Sequence, residues 1–110
     1  YTFILVATRE VPRRLMHPKR KTIGMRVPDN RIAQELLAEL DAPMLTTSMI
    51  LPGEGAPMSD PVEIRERLEH DVELVIDGGP CGGEPTTLID LTGDLAEVVR
   101  VGLGDPTPFT

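Results

Sequence analysis

From Tyr1 to Ala7 the chain is a run of apolar and β-branched residues, which predicts a buried strand. Val11 to Pro18 lies between prolines and has room for no more than a short helical turn. Polar and apolar residues then alternate from Lys21 to Val27, with Ile23, Met25 and Val27 on one face of a second strand and Thr22, Gly24 and Arg26 on the other. Between Asn30 and Asp41 the period changes. Ile32, Ala33, Leu36, Leu37 and Leu40 recur at helical spacing behind Pro28-Asp29-Asn30, which supplies capping side chains. Met44 to Ser48 reads as a short strand running into the Pro52-Gly53 turn, and Glu54 to Met58 as a polar loop. Asp60-Pro61-Val62-Glu63 has the form of a helix start, with Ile64, Leu68 and Val72 on the apolar side. Strands are predicted at Val72 to Ile76, Thr87 to Leu91 and Glu97 to Val101, with a Gly-rich turn from Asp77 to Pro85. Strands alternating with helices, followed by a run of strands, give an α/β (α+β) domain built on a mixed twisted sheet with flanking helices.

Charge changes the picture. The net charge of −7 conceals an asymmetry, because residues 1 to 31 hold eight Lys or Arg against two acids, +6, while the remainder is −13. Gathered cations in an acidic chain are either a surface for phosphate-bearing partners or a solvated loop. The chain has 110 residues, enough for one domain, and it opens without Met and without a basic leader, which reads as a piece of something longer. No apolar run reaches the roughly 18 residues of a membrane span, so no membrane partner is expected. Cys81 is the one cysteine, which precludes an internal disulfide and fits a reducing cytoplasm.

Most local motifs carry little chemistry. Gly78-Gly79-Pro80-Cys81-Gly82-Gly83 follows a predicted strand but matches neither phosphate-loop pattern, so a plain turn is the better reading. His17 and His70 stand alone, which predicts surface histidines and no protein-encoded metal site. Cys81 has no base near it in sequence and is a poor candidate nucleophile. Three aromatic residues in all leave little for stacking on unpaired bases. What stands out is a set of hydroxyl and guanidinium residues on or beside predicted strand ends: Thr22 with Arg26, Ser48, Thr86 with Thr87, and Arg100. Hydroxyls donate to phosphate oxygens and Arg grips carboxylate or phosphate with two N–H groups, so convergence of these residues would bind a nucleotide or an amino acid.

Five stretches occur in order that together resemble the C-terminal half of a YrdC-like domain, in particular its YciO branch. They are Lys21-Thr22-Ile23-Gly24-Met25-Arg26-Val27-Pro28-Asp29, Thr47 to Gly53, Asp77-Gly78-Gly79, Pro85 to Thr92, and Val98-Val99-Arg100. The resemblance implies that residues 1–110 are the C-terminal part of a single domain whose N-terminal half is absent. It also implies a link to threonylcarbamoyl-adenylate synthesis, a nucleotidyl transfer from ATP with Mg2+ to L-threonine and bicarbonate, for tRNA modification, and to binding of double-stranded RNA or tRNA. By the same resemblance Thr22, Ser48 and Arg100 fall where the nucleotide is held, and Arg26, Thr46 and Thr86 where threonine is held. Arg13, Arg14, Lys19, Arg20 and Lys21 are the RNA-contact candidates. Ser48-Met49-Ile50 departs from the family's Ser-x-Asn, because Ile50 has no side-chain hydrogen-bonding group. The family's Lys-x-Arg pair has no counterpart in these residues, so this fragment is expected to be inactive by itself. A structural fragment without a ligand and a competent synthase in full-length form are the competing readings.

Overall fold

Ile89 is the most deeply buried apolar side chain, and the strand that carries it is the middle of the fold's one sheet. The computed structural model describes residues 1–110. Its sheet has the order β2-β1-β3-β4, with β1 Thr2–Val6, β2 Thr22–Met25, β3 Leu88–Asp90 and β4 Glu97–Arg100. β1 pairs antiparallel with β2 and parallel with β3, and β3 pairs antiparallel with β4, so the sheet is mixed. Phe3 thus lies between Met25 and Ile89 across three strands. Full burial of an isoleucine such as Ile89 contributes about 1.5–3 kcal/mol. The parallel ladder extends past its strands through Thr2 N–H to Thr87 C=O, 2.8 Å, and Leu91 N–H to Ile4 C=O, 3.0 Å.

The aromatic residues form one cluster. Tyr1 stacks on Phe3 at 5.6 Å between ring centroids, and Phe109 meets both rings edge-on, at 5.6 and 5.8 Å. No ring is left over for another task.

Two compact units divide the chain: Tyr1–Gln34 with Glu84–Thr110, which holds the whole sheet, and Glu35–Gly83. α1 (Arg31–Leu40) begins at Asn30, whose Oδ1 accepts from Ala33 N–H at 3.0 Å, a side-chain cap of the expected kind. α2 (Pro61–Leu68) begins at Asp60, whose carboxylate accepts from Val62 N–H at 3.0 Å, with Pro61 buried at the first helical position. Within the second unit Arg67 is 2.7 Å from Glu54 and 3.5 Å from Glu63, and its Nη1 also approaches the sulfur of buried Met58. Gly53 has φ +81° and follows Pro52, and Glu54 N–H bonds Leu51 C=O, which is the Pro-Gly turn foreseen.

Two predicted strands are absent. Met44 to Ser48 and Val72 to Ile76 form no ladder, and Leu45 and Leu74 are 72% and 75% exposed. Their composition suits strands, but a strand exists only where a neighbour takes its N–H and C=O groups, and the second unit offers none. The second strand is also shorter than the alternation suggested, stopping at Met25, with Val27 86% exposed. No helix is long and apolar enough to cross a membrane.

Candidate functional site

β2 ends at Met25, and the next residues, Arg26 to Asp29, leave the sheet to form one wall of a cleft of about 290 Å³. The opposite side comes from Tyr1, from Thr86 just ahead of β3, and from Leu103 and Gly104 beyond β4. Its volume is at the small end of ligand cavities, which run from roughly 300 Å³ upward. The lining residues include one guanidinium (Arg26), one carboxylate (Asp29), the hydroxyl residue Thr86, Tyr1, whose hydroxyl is spent on Asp105 C=O, and the apolar Val27, Pro28 and Leu103. Arg26 and Asp29 are both exposed. That donor set matches a small zwitterion: a carboxylate for Arg26, an ammonium for Asp29, and an acceptor for a hydroxyl.

Thr86 is held from behind. Arg100 Nε donates to the Thr86 carbonyl at 3.0 Å and its Nη2 to Thr86 Oγ1 at 3.2 Å, while Thr2 Oγ1 lies 2.7 Å from Thr86 Oγ1. Thr87 is fully buried beside it, donating to Gly104 C=O and accepting from Gly102 N–H at 2.9 Å. This ties the Leu103–Gly104 wall of the cleft to the start of β3. The Tyr1 hydroxyl donates to Asp105 C=O at 2.8 Å, and an added Cβ on Gly104 would come within 2.6 Å of the Tyr1 ring, so this wall is a close fit.

Of the residues singled out in the sequence, the structure brings Arg26 and Thr86 into one cleft and joins Arg100 to Thr86. Thr22 is at the opposite end of β2 from Arg26, paired with Val6, and does not line the cleft. Thr46 and Ser48 lie in the second unit, exposed and outside regular structure. Arg13 and Arg14 sit on a single 3-10 turn, Arg13–Leu15. Lys19, Arg20 and Lys21 follow on an exposed turn held by His17, whose Nδ1 accepts from Lys19 and Arg20 N–H at 3.2 and 3.1 Å. Lys21 closes that turn with φ 56°, and its N–H bonds His17 C=O. His17 is therefore at the surface as expected, with a turn to hold that its isolation in sequence did not reveal. Arg20 also contributes to lowering the pKa of Asp90, after the larger effects of the Thr92 hydroxyl and N–H groups on that carboxylate.

Sequence reasoning passed over Thr2, Tyr1 and Asp29. Asp29 was visible only as a helix-capping candidate, and Thr2 as one more residue of a buried strand. Their place in the site depends on the parallel pairing of β1 with β3, a contact across more than 80 positions that no local pattern encodes.

The family model for Sua5, YciO and YrdC, described as telomere recombination, matches residues 1–102. The Escherichia coli (strain K12) uncharacterized protein YciO is 62% identical over 109 residues, 99% of this chain and 53% of that protein. A Haemophilus influenzae uncharacterized protein is 57% identical over 110 residues, 99% and 53%. The crystal structure of E. coli YciO superposes with a TM-score of 0.92 at 61% identity, covering 100% of this chain and 53% of that one. More distantly, the threonylcarbamoyl-AMP synthase of Bacillus subtilis is 29% identical over 87 residues, 74% of this chain and 24% of that protein. The chain thus spans about half the length of the YciO-type relatives it matches.

Proposed function

The chain belongs to the Sua5/YciO/YrdC family, and on that premise we propose that the cleft around Arg26 and Thr86 is an amino-acid site, with L-threonine as its ligand. One observation carries this reading: a guanidinium, a carboxylate and a well-anchored hydroxyl line a single small cleft with apolar walls. Arg26 holds the carboxylate of the amino acid, Asp29 its ammonium, and Val27 and Leu103 its side chain. ATP is the second ligand of the full-length protein, with Thr22 and Arg100 as contacts and Mg2+ carried in on its phosphates. Bicarbonate is the third reactant of the related synthesis. Ile50 stands where Ser-x-Asn would put an amide, so the protein binds these ligands and turns them over slowly if at all. Double-stranded RNA or tRNA is the macromolecular partner, met through the basic turn.

Calorimetry of the full-length protein tests the cleft. Wild type should bind L-threonine, and Arg26→Ala should weaken binding by about 1.5–3 kcal/mol, the worth of a hydrogen bond to a charged group. Threoninol, which lacks the carboxylate, should bind wild type weakly and be insensitive to Arg26→Ala. Equal affinity of wild type and Arg26→Ala for L-threonine would refute the assignment.

A further inference from the structure

The basic turn is fastened differently at its base and at its tip. At the base the bonds run from backbone to backbone. His17 N–H donates to Thr22 C=O at 2.8 Å and Lys21 N–H to His17 C=O at 2.9 Å, while Ala7 N–H donates to Lys21 C=O at 2.9 Å and so ties the turn to the end of β1. At the tip the acceptor is an imidazole: His17 Nδ1 takes Lys19 N–H at 3.2 Å and Arg20 N–H at 3.1 Å. A ring nitrogen that accepts carries no proton, so this geometry belongs to neutral His17 with its proton on Nε2. Protonation of Nδ1 would turn the shared acceptor into a third donor facing two others, and the tip could no longer close on it. The bonds at the base involve no titratable group.

His17 is exposed, so solvent protons reach it. The charged groups from Val11 to Thr22 are Arg13 and Arg14 on the 3-10 turn and Lys19, Arg20 and Lys21 beyond it, with no acid among them. From the sheet, Thr22 at the start of β2 presents its carbonyl, and Asp90 at the end of β3 is the acid on which Arg20 acts. A proton taken up by His17 therefore enters a cationic segment.

We propose that His17 is a pH-sensitive latch on the basic turn: unprotonated, it holds Lys19, Arg20 and Lys21 in one fixed arrangement, and protonated, it releases the tip while the base stays closed. The consequence for a ligand rests on the RNA reading of this turn. Protonation has two effects there, and they are separable. Added positive charge attracts any polyanion, duplex or single strand alike. Loss of the fixed arrangement weakens the ligand whose phosphates are themselves rigidly spaced, which is the duplex. The ratio of duplex to single-strand affinity therefore reads the latch and cancels the charge.

The experiment uses the full-length protein as wild type, His17→Asn and His17→Ala, from about pH 8 to about pH 5.5, which brackets imidazole titration. Asn Oδ1 stands at the same place along its side chain as His Nδ1 and accepts from N–H groups in turns of this kind without titrating. NMR follows the Lys19 and Arg20 amide protons with temperature, because an N–H bonded inside the protein shifts less on warming than one bonded to water. Both should become strongly temperature-dependent in wild type as pH falls, stay weakly dependent in His17→Asn, and be strongly dependent at every pH in His17→Ala. Affinities at fixed salt for a duplex of about 16 base pairs and for one of its strands give the ratio. It should fall about three- to tenfold in wild type over this range, the worth of a hydrogen bond, and by less than about twofold in His17→Asn. Amides in wild type that keep their bonds through the titration, or a ratio that falls equally in His17→Asn, overturn the latch. If wild type binds neither RNA, the RNA reading of the turn falls and the amide measurement alone upholds or overturns the latch.

Discussion

Gly102 is the glycine of the first unit with the least room for a side chain. An added Cβ would sit 2.2 Å from Pro85 C=O and 2.7 Å from Thr86 C=O, both backbone atoms that cannot swing away, and its own N–H is committed to Thr87 Oγ1. Its φ is not in the left-handed region, so the obstacle is contact alone. Gly102→Ala should lower stability by about 1–3 kcal/mol in a urea titration, the usual cost of overpacking. Gly24→Ala is the control, because its Cβ would meet only the Thr2 methyl at 3.7 Å, an ordinary contact. If the two variants have the same urea midpoint, the close approach at Gly102 is not a constraint. Single residues were unevenly legible in the sequence. Arg26 and Thr86 could be picked out because guanidinium and hydroxyl chemistry is visible in the letters. Gly102, Asp29 and Thr2 could not, because what makes them matter is a neighbour distant in sequence.

Elements were legible where their signals are local. The capping residues of both helices lie where the side-chain pattern put them, at Asn30 and Asp60, because a cap bonds its own chain two or three residues on. The two strands that failed to form, Met44 to Ser48 and Val72 to Ile76, had the right residues and lacked a partner, which composition never reports. The end of β3 shows the same local logic and gives a pH prediction. Asp90 caps the turn that closes the strand, accepting from the Thr92 hydroxyl at 2.6 Å and the Thr92 N–H at 2.8 Å, and these bonds lower its pKa below the usual carboxylate value. Asp105 is likewise lowered by the Thr107 N–H. A carboxylate with a depressed folded-state pKa contributes stability that is fully present above its unfolded value of about 3.9 and is lost as pH falls through the lower folded value. Thr92→Val removes the first of the causes acting on Asp90. Between about pH 5 and about pH 3 the urea midpoint should therefore fall less in Thr92→Val than in wild type. Parallel falls in the two proteins would mean that the Thr92 hydroxyl does not lower the pKa of Asp90.

On the scale of the whole molecule the governing feature is the separation of charge, +6 in residues 1 to 31 and −13 beyond. Arg13, Arg14, Lys19, Arg20 and Lys21 are all exposed, so this charge is open to solvent. The three aromatic rings are occupied with one another, which leaves no ring for stacking on an unpaired base. An RNA contact built from such parts is electrostatic and reads helix shape, so it should prefer duplex to single strand and show little dependence on sequence. Each phosphate contact adds roughly 0.7 to 0.9 to the slope of log affinity against log salt. Changing all five residues to Gln in the full-length protein should therefore flatten the slope for duplex RNA by up to about 4 if all five touch phosphates. The opposing effect is repulsion from the acidic remainder of the chain, which is longer in range and strongest in dilute salt. A salt titration separates the two. Affinity that falls steeply with salt in wild type and gently in the five-site variant assigns the contact to this turn, and identical slopes would remove RNA from the account of what the basic segment does.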